Sequence, residues 1–255
     1  MDSQDKNASC DDRGTLKILQ ITRTLENCGI PCCICGVGAL IYYGAGRVKA
    51  TWEIRVPTDL IEKAASILKS QEYANFYIAN PPPLPQPASL IHTYTHFQYI
   101  GLRTYFVLVP SDDIHIDCKP SNFQRSSNGL PYPKLNILIQ SFLDASDSLS
   151  LCDVVDGSNV SEEWGSDNLN LQGKVDLEWI KKKNEAIKQS RVGQYAKGGL
   201  SGGIHVKFSE RRVLWESIVR TKGARRGWTQ PEETFATRFR LHGSPDPWLQ
   251  HRQCS

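Results

Sequence analysis

The stretch IPCCICGVGALIYYGAGRVKATWEIRV, Ile30 to Val56, decides the fold. Its apolar run Ile30, Cys32, Cys33, Ile34 and Cys35 is short and ends at Gly36 and Gly38, which marks a buried strand more than a helix. Gly36-Val37-Gly38 lets the backbone turn sharply with no Cβ in the way. Ala39-Leu40-Ile41-Tyr42-Tyr43 then makes a helical turn or more before Gly44 and Gly46 stop it. A helix start of this kind offers free N–H groups to a phosphate. Trp52 to Val56 alternates as a strand, with Thr51, Glu53 and Arg55 on one face and Trp52, Ile54 and Val56 on the other.

Working outward, Gly14 to Asn27 reads as a helix whose apolar side is Ile18, Ile21, Thr22 and Leu25, with Gly29 as its stop. After Pro57, Asp59 and Glu62 suit a capping box for a helix to about Ser70, with Leu60, Ile61, Ala64, Ala65 and Leu68 as its stripe. The proline-dense segment Pro81 to Pro87 reads as an extended connector, or as a ligand for a proline-binding module. Strands are expected over Thr95–Ile100, Leu102–Val109 and Asp113–Cys118. In the last of these, Asp113, His115 and Asp117 share one face. Lys134 to Ala145 reads as a helix, Val154 to Gly157 as a strand end and turn, and Ser161 as the cap of a short helix. Val175 to Ser190 reads as a helix with Lys181, Lys182, Lys183 and Lys188 on its outer side, and Phe208 to Arg220 carries a fainter helical pattern. This order predicts an α+β fold, a small mixed sheet with helices packed on one side and a C-terminal helical extension.

The 255 residues suffice for a sizeable core, and 40% apolar with 22% charged residues is a globular composition. No run of about 18 apolar residues occurs, so no spanning helix is expected. The polar N-terminal stretch lacks the regions of a signal peptide, which predicts a cytoplasmic or nuclear protein, not a secreted one. The eight cysteines are then expected as reduced thiols packed as small hydrophobes. Metal binding is the alternative, but C-x3-CC-x-C lacks the paired knuckles of structural zinc. Residues 173–255 hold 17 Lys and Arg against 8 Asp and Glu, in a chain that totals 30 and 27. Such a basic third suits nucleic acid or a solvated tail.

A strand, a Gly-x-Gly turn, a helix and then a strand with acidic positions two apart has a chemical use. Carboxylates at i and i+2 of a strand project from one face and can hold divalent ions that clamp a triphosphate. This arrangement resembles the DNA polymerase β-like nucleotidyltransferase superfamily, in a fungal branch. Gly36-Val37-Gly38 sits where the glycine motif would be, and Arg47 and Lys49 sit near its Arg and Thr positions. Thr51 and Glu53 fall on its two acidic positions, and Asp117 falls on its third. The resemblance implies a nucleotidyltransferase-like domain over 14–170, between a disordered 1–13 and a basic extension with a partly disordered tail over 171–255. It also implies Glu53 and Asp117 as catalytic metal ligands for Mg²⁺, and an NTP held by Gly36, Gly38, Arg47, Lys49 and Thr51. The sequence departs from the motif at Thr51, a neutral hydroxyl where the first carboxylate belongs.

Three functions follow. The first is transfer of a nucleotidyl group from an NTP to a hydroxyl of a small molecule or protein. The second is an inactive relative acting as a binding or scaffold module, which the loss at Thr51 favours. The third is a nucleic-acid-associated protein using its basic third. Against any site stand plainer readings: Glu53 as a solvated strand residue, Asp117 in an ion pair with Arg55, Lys119 or Arg103, and His115 as an ordinary surface histidine.

Overall fold

A computed structural model describes residues 15–45, 47, 49, 51–101, 105–191 and 202–222. The expectations for 1–13 and for the basic tail beyond 222 lie outside the described residues. The fold is α+β, built on a five-stranded mixed sheet.

Helix α1 (Thr15–Asn27) buries Ile18, Leu19, Ile21, Thr22 and Leu25. It stops at Gly29, whose φ of +75° is cheap only without a Cβ. Strand β1 (Cys33–Cys35) is shorter than the apolar run, because Ile30 to Cys32 approach it without ladder bonds. Helix α2 (Gly36–Tyr42) starts on the first glycine itself. Strand β2 (Thr51–Val56) follows, then a 3₁₀ turn over Thr58–Leu60 and helix α3 (Ile61–Lys69). The capping box predicted from Asp59 does not form. Leu60 takes the cap position without a side-chain bond, and the Thr58 hydroxyl instead lies 3.0 Å from that of Ser111.

Strands β3 (Tyr77–Asn80), β4 (His96–Tyr99) and β5 (Tyr105–Pro110) complete the sheet in the order β1-β2-β5-β4-β3. Among the described strands only β2 and β5 pair in parallel. One face carries Trp52, Ile54, Val56, Phe97, Tyr99, Phe106 and Leu108, all buried, with Phe97 and Phe106 stacked at 5.0 Å. At about 25 cal/mol per Å² of apolar area removed from water, this face is a main source of stability.

The strand expected over Asp113–Cys118 is a correction. Ser111–Asp113 forms a 3₁₀ turn, His115 has φ +55°, and the segment is turn and loop. Alternating residue types do not make a strand when the backbone reverses in their midst. A short hairpin of β6 (Phe123–Arg125) and β7 (Pro131–Pro133) comes next, then α4 (Leu135–Asp144) and α5 (Ser148–Ser158). The strand end predicted at Val154–Gly157 is thus helix. Asp147 caps it by accepting from Ser150 N–H at 3.1 Å, and Asn159 closes it with φ +56°. Gly157 is needed there, since a Cβ would lie 2.6 Å from the Ala45 nitrogen.

Helix α6 (Glu162–Asn168) is capped by Ser161, which accepts from Trp164 N–H at 3.2 Å. Helices α7 (Leu177–Ser190) and α8 (Arg211–Arg220) then join the same core. Trp215 is buried against Gly165, and Ile180, Leu214, Ile218 and Val219 are buried with it. Among the described residues no helix is long and apolar enough to cross a membrane.

Candidate functional site

The register of β1 on β2 pairs Cys33 with Arg55 and Cys35 with Glu53, so these four residues share one face of the sheet. Gly36 follows directly, at φ +55°. The Glu53 carboxylate packs against the Gly36 backbone, in the space a Cβ would fill, and accepts a hydrogen bond from Val37 N–H. Burial pushes the Glu53 carboxyl above its usual range. Asp113 adds to the rise, while Arg55, the Val37 N–H and Lys183 oppose it. The start of α2 is therefore occupied by the chain's own carboxylate.

Arg55 is fully buried. Its NH1 donates to the carbonyls of Pro110 at 2.6 Å and Ser111 at 3.0 Å, and among the described residues its Nε and NH2 have no hydrogen-bond acceptor. Burial pushes the nearby Cys35 thiol up to about 12 against the pull of Arg55, and Cys33 is raised by burial and by its contact with Cys118. Both thiols are fully buried, which favours their neutral form.

Asp113 arrives from the 3₁₀ turn after β5. Its Oδ1 accepts from the Tyr94 hydroxyl at 2.7 Å and pairs with Lys183 Nζ at 3.0 Å. Lys183 Nζ also donates to the Asp113 carbonyl at 2.7 Å. Lys183 had been expected on the outer side of its helix, but its side chain is only 9% exposed. One turn earlier, Trp179 Nε1 donates to the Asp112 carbonyl at 2.6 Å, and its ring lies 4.5 Å from that of His115. Burial lowers the His115 pKa, with Asp144 and Asp176 opposing and Lys183 and Arg211 assisting.

Asp117 does not join this group. Its side chain is 56% exposed and ion-pairs with Lys119 at 2.5 Å. The aspartate whose charge acts on Glu53 is Asp113. The turn at His115 displaces the alternation on which Asp117 was chosen. Arg47 is engaged elsewhere too, in a two-pronged bond to Asp153 of α5, Nε to Oδ2 at 2.8 Å and NH2 to Oδ1 at 2.9 Å. Lys49 sets its ammonium over the Trp52 ring, and its Cδ lies 3.9 Å from where a Gly38 Cβ would stand. Thr51 is half-buried at the start of β2, opposite Tyr105. Gly38, Lys49 and Trp52 thus come together, as do Gly36 and Glu53.

A divalent ion does not fit these residues as placed. Mg²⁺ asks for oxygens at about 2.0–2.1 Å in octahedral array. Glu53 is held by Val37 N–H, Asp113 by Tyr94 and Lys183, and Thr51 brings no charge. Among the described residues no three His, Cys, Asp or Glu side chains converge as a metal site. A separate cavity of about 500 Å³, lined by Glu26, Gly29, Pro31, Pro120, Phe123 and Arg125, includes none of the candidate site residues.

No family model matches the chain, and no curated protein matches it. Among solved structures it is similar to JHP933 from Helicobacter pylori, at 12% identity and a TM-score of 0.34, over 83% of this chain and 92% of that one.

Proposed function

We propose that this chain is a nucleotidyltransferase-like domain that works as a binding or scaffold module and not as a catalyst. The observation that carries the reading is that Glu53 and Asp113 are each engaged by the chain's own donors. Glu53 accepts from Val37 N–H, and Asp113 accepts from Tyr94 and Lys183. Nucleotidyl transfer needs positive charge placed on the phosphoryl oxygens as bonds form and break. Here Asp113 is ion-paired and Glu53 is hydrogen-bonded by the chain itself, and Thr51 contributes no charge. A nucleotide would find Thr51 and the Gly38, Lys49 and Trp52 group, while Arg47 is committed to Asp153.

The competing reading is transfer from an NTP to a hydroxyl of a small molecule or protein. It rests on the closeness of Glu53 to Gly36, and it requires Glu53 to leave Val37 and Asp113 to give up Lys183. Incubation with each α-labelled NTP, Mg²⁺ or Mn²⁺ and a cell extract separates the two. We expect no label to become attached to protein or small molecule. We also expect any nucleotide-induced rise in Tm to be the same with and without metal. Metal-dependent labelling that Glu53→Gln abolishes would overturn the proposal.

A further inference from the structure

Asp113 is ion-paired to a lysine of the chain itself, and Glu53 lies within reach of the same charges. Lys183 Nζ stands 3.0 Å from Asp113 Oδ1 and donates to the Asp113 carbonyl at 2.7 Å, with both side chains almost buried. Its charge also reaches Glu53. Arg55 is wholly buried beside the pair and leaves Nε and NH2 without acceptors.

The delivery of Lys183 is structural. Asp176 caps α7 by accepting from Trp179 N–H at 3.0 Å. Trp179 and Lys183 are four residues apart and project from one face of that helix. Trp179 grips the Asp112 carbonyl while Lys183 grips Asp113. An ammonium at hydrogen-bond distance neutralises a carboxylate without demanding octahedral oxygens, so it can sit where a divalent ion would meet unsuitable geometry.

We infer that Lys183 is the resident counter-cation of the Glu53–Asp113 pair, standing in the place of a divalent ion and making this face of the sheet independent of metal. The inference rests on the reading of the chain as a non-catalytic nucleotidyltransferase-like domain and specifies how its site is neutralised.

The test is thermal melting of the full chain with and without Mn²⁺, together with calorimetric titration of Mn²⁺. Wild type, Lys183→Met and Lys182→Met are compared, Lys182 being an exposed neighbour on the same helix. Wild type and Lys182→Met should show no Mn²⁺-dependent change in Tm. Lys183→Met should melt lower in metal-free buffer and gain roughly 2–4 °C in saturating Mn²⁺. Adding Asp113→Asn to Lys183→Met should abolish that gain. If Lys183→Met does not fold without metal, folding restored by Mn²⁺ supports the inference, and a chain that stays unfolded in Mn²⁺ overturns it. A wild type that gains as much from Mn²⁺ as the variant overturns it too, as does a folded variant that gains nothing. Labelling of an acceptor by wild type would instead break the functional reading, leaving the melts to decide the place of Lys183.

Discussion

The two faces of β2 are made from alternate residues of one six-residue strand and are stabilised in opposite ways. Trp52, Ile54 and Val56 are buried among Phe97, Phe106 and Leu108, where any well-fitting apolar group serves. On the other side Arg55 is fully buried and Glu53 half-buried, and each charge depends on a named partner. The apolar face gains by burial itself. The charged face loses by burial and recovers only through geometry. This contrast is what sets the Glu53–Arg55 side apart as the candidate site.

The sharpest way to break the comparison is to truncate one residue on each face. Arg55→Ala leaves Glu53 and Asp113 with one cation fewer and two carbonyls without their donor, a loss of about 3–5 kcal/mol by analogy with broken buried ion pairs. Ile54→Ala removes apolar volume only, at about 2–5 kcal/mol. Arg55→Met separates the mechanisms, because it restores volume but not charge. In urea unfolding Arg55→Met should remain well below wild type, while Ile54→Val should lose only about 0.5–1.5 kcal/mol. If Arg55→Met matches wild type, the charge on that face is dispensable and the contrast fails.

Gly36→Ala probes the seam between the faces. The new Cβ would run into the Glu53 carboxylate, and the backbone at φ +55° resists any side chain. The carboxylate is the end of a flexible side chain, so it can swing away and give up Val37 N–H. We expect a loss of about 1–3 kcal/mol, read by chemical unfolding. Gly36→Ala in a Glu53→Gly background should recover the steric part and keep the φ strain. No recovery would mean that the close packing of Glu53 on Gly36 is not what selects glycine there.

What was legible in the sequence was whatever depended on neighbours in the chain. Gly36, the face shared by Glu53 and Arg55, and the caps at Ser161 and Gly29 all follow from local spacing. Asp113 was hidden because its turn is secured from far away: Thr58 N–H donates to Ser111 Oγ at 3.1 Å and Asp112 N–H to Thr58 Oγ1 at 3.1 Å. The alternation DIHID was real, but a positive φ at His115 overrode it. Lys183 lies seventy positions from its partner, and nothing in the lysine cluster of α7 sets it apart from Lys181 or Lys182. The 3₁₀ turn after Pro110, with two acidic residues in a row, was the signal that could have brought Asp113 forward. Strands β6 and β7 are three residues each, and two of those six are prolines, too few to show a period.

The smallest effect concerns the proton on Glu53. Burial raises its carboxyl above the unfolded value of 4.5, so the folded protein holds that proton more tightly than the unfolded chain. The stability contributed by the bound proton is full below about pH 4.5. It declines as pH rises through the folded pKa and is gone above it. Glu53→Gln keeps an acceptor for Val37 N–H but does not titrate. The stability of wild type minus that of Glu53→Gln should therefore fall as pH rises above about 4.5, measured by urea unfolding at matched salt. Ile54→Val, on the opposite face, should shift stability by the same amount at every pH. A difference that rises with pH would mean that Arg55 and Val37 N–H outweigh burial at Glu53. The charged face would then be a stabilising one, and the two sides of the strand would be alike in kind.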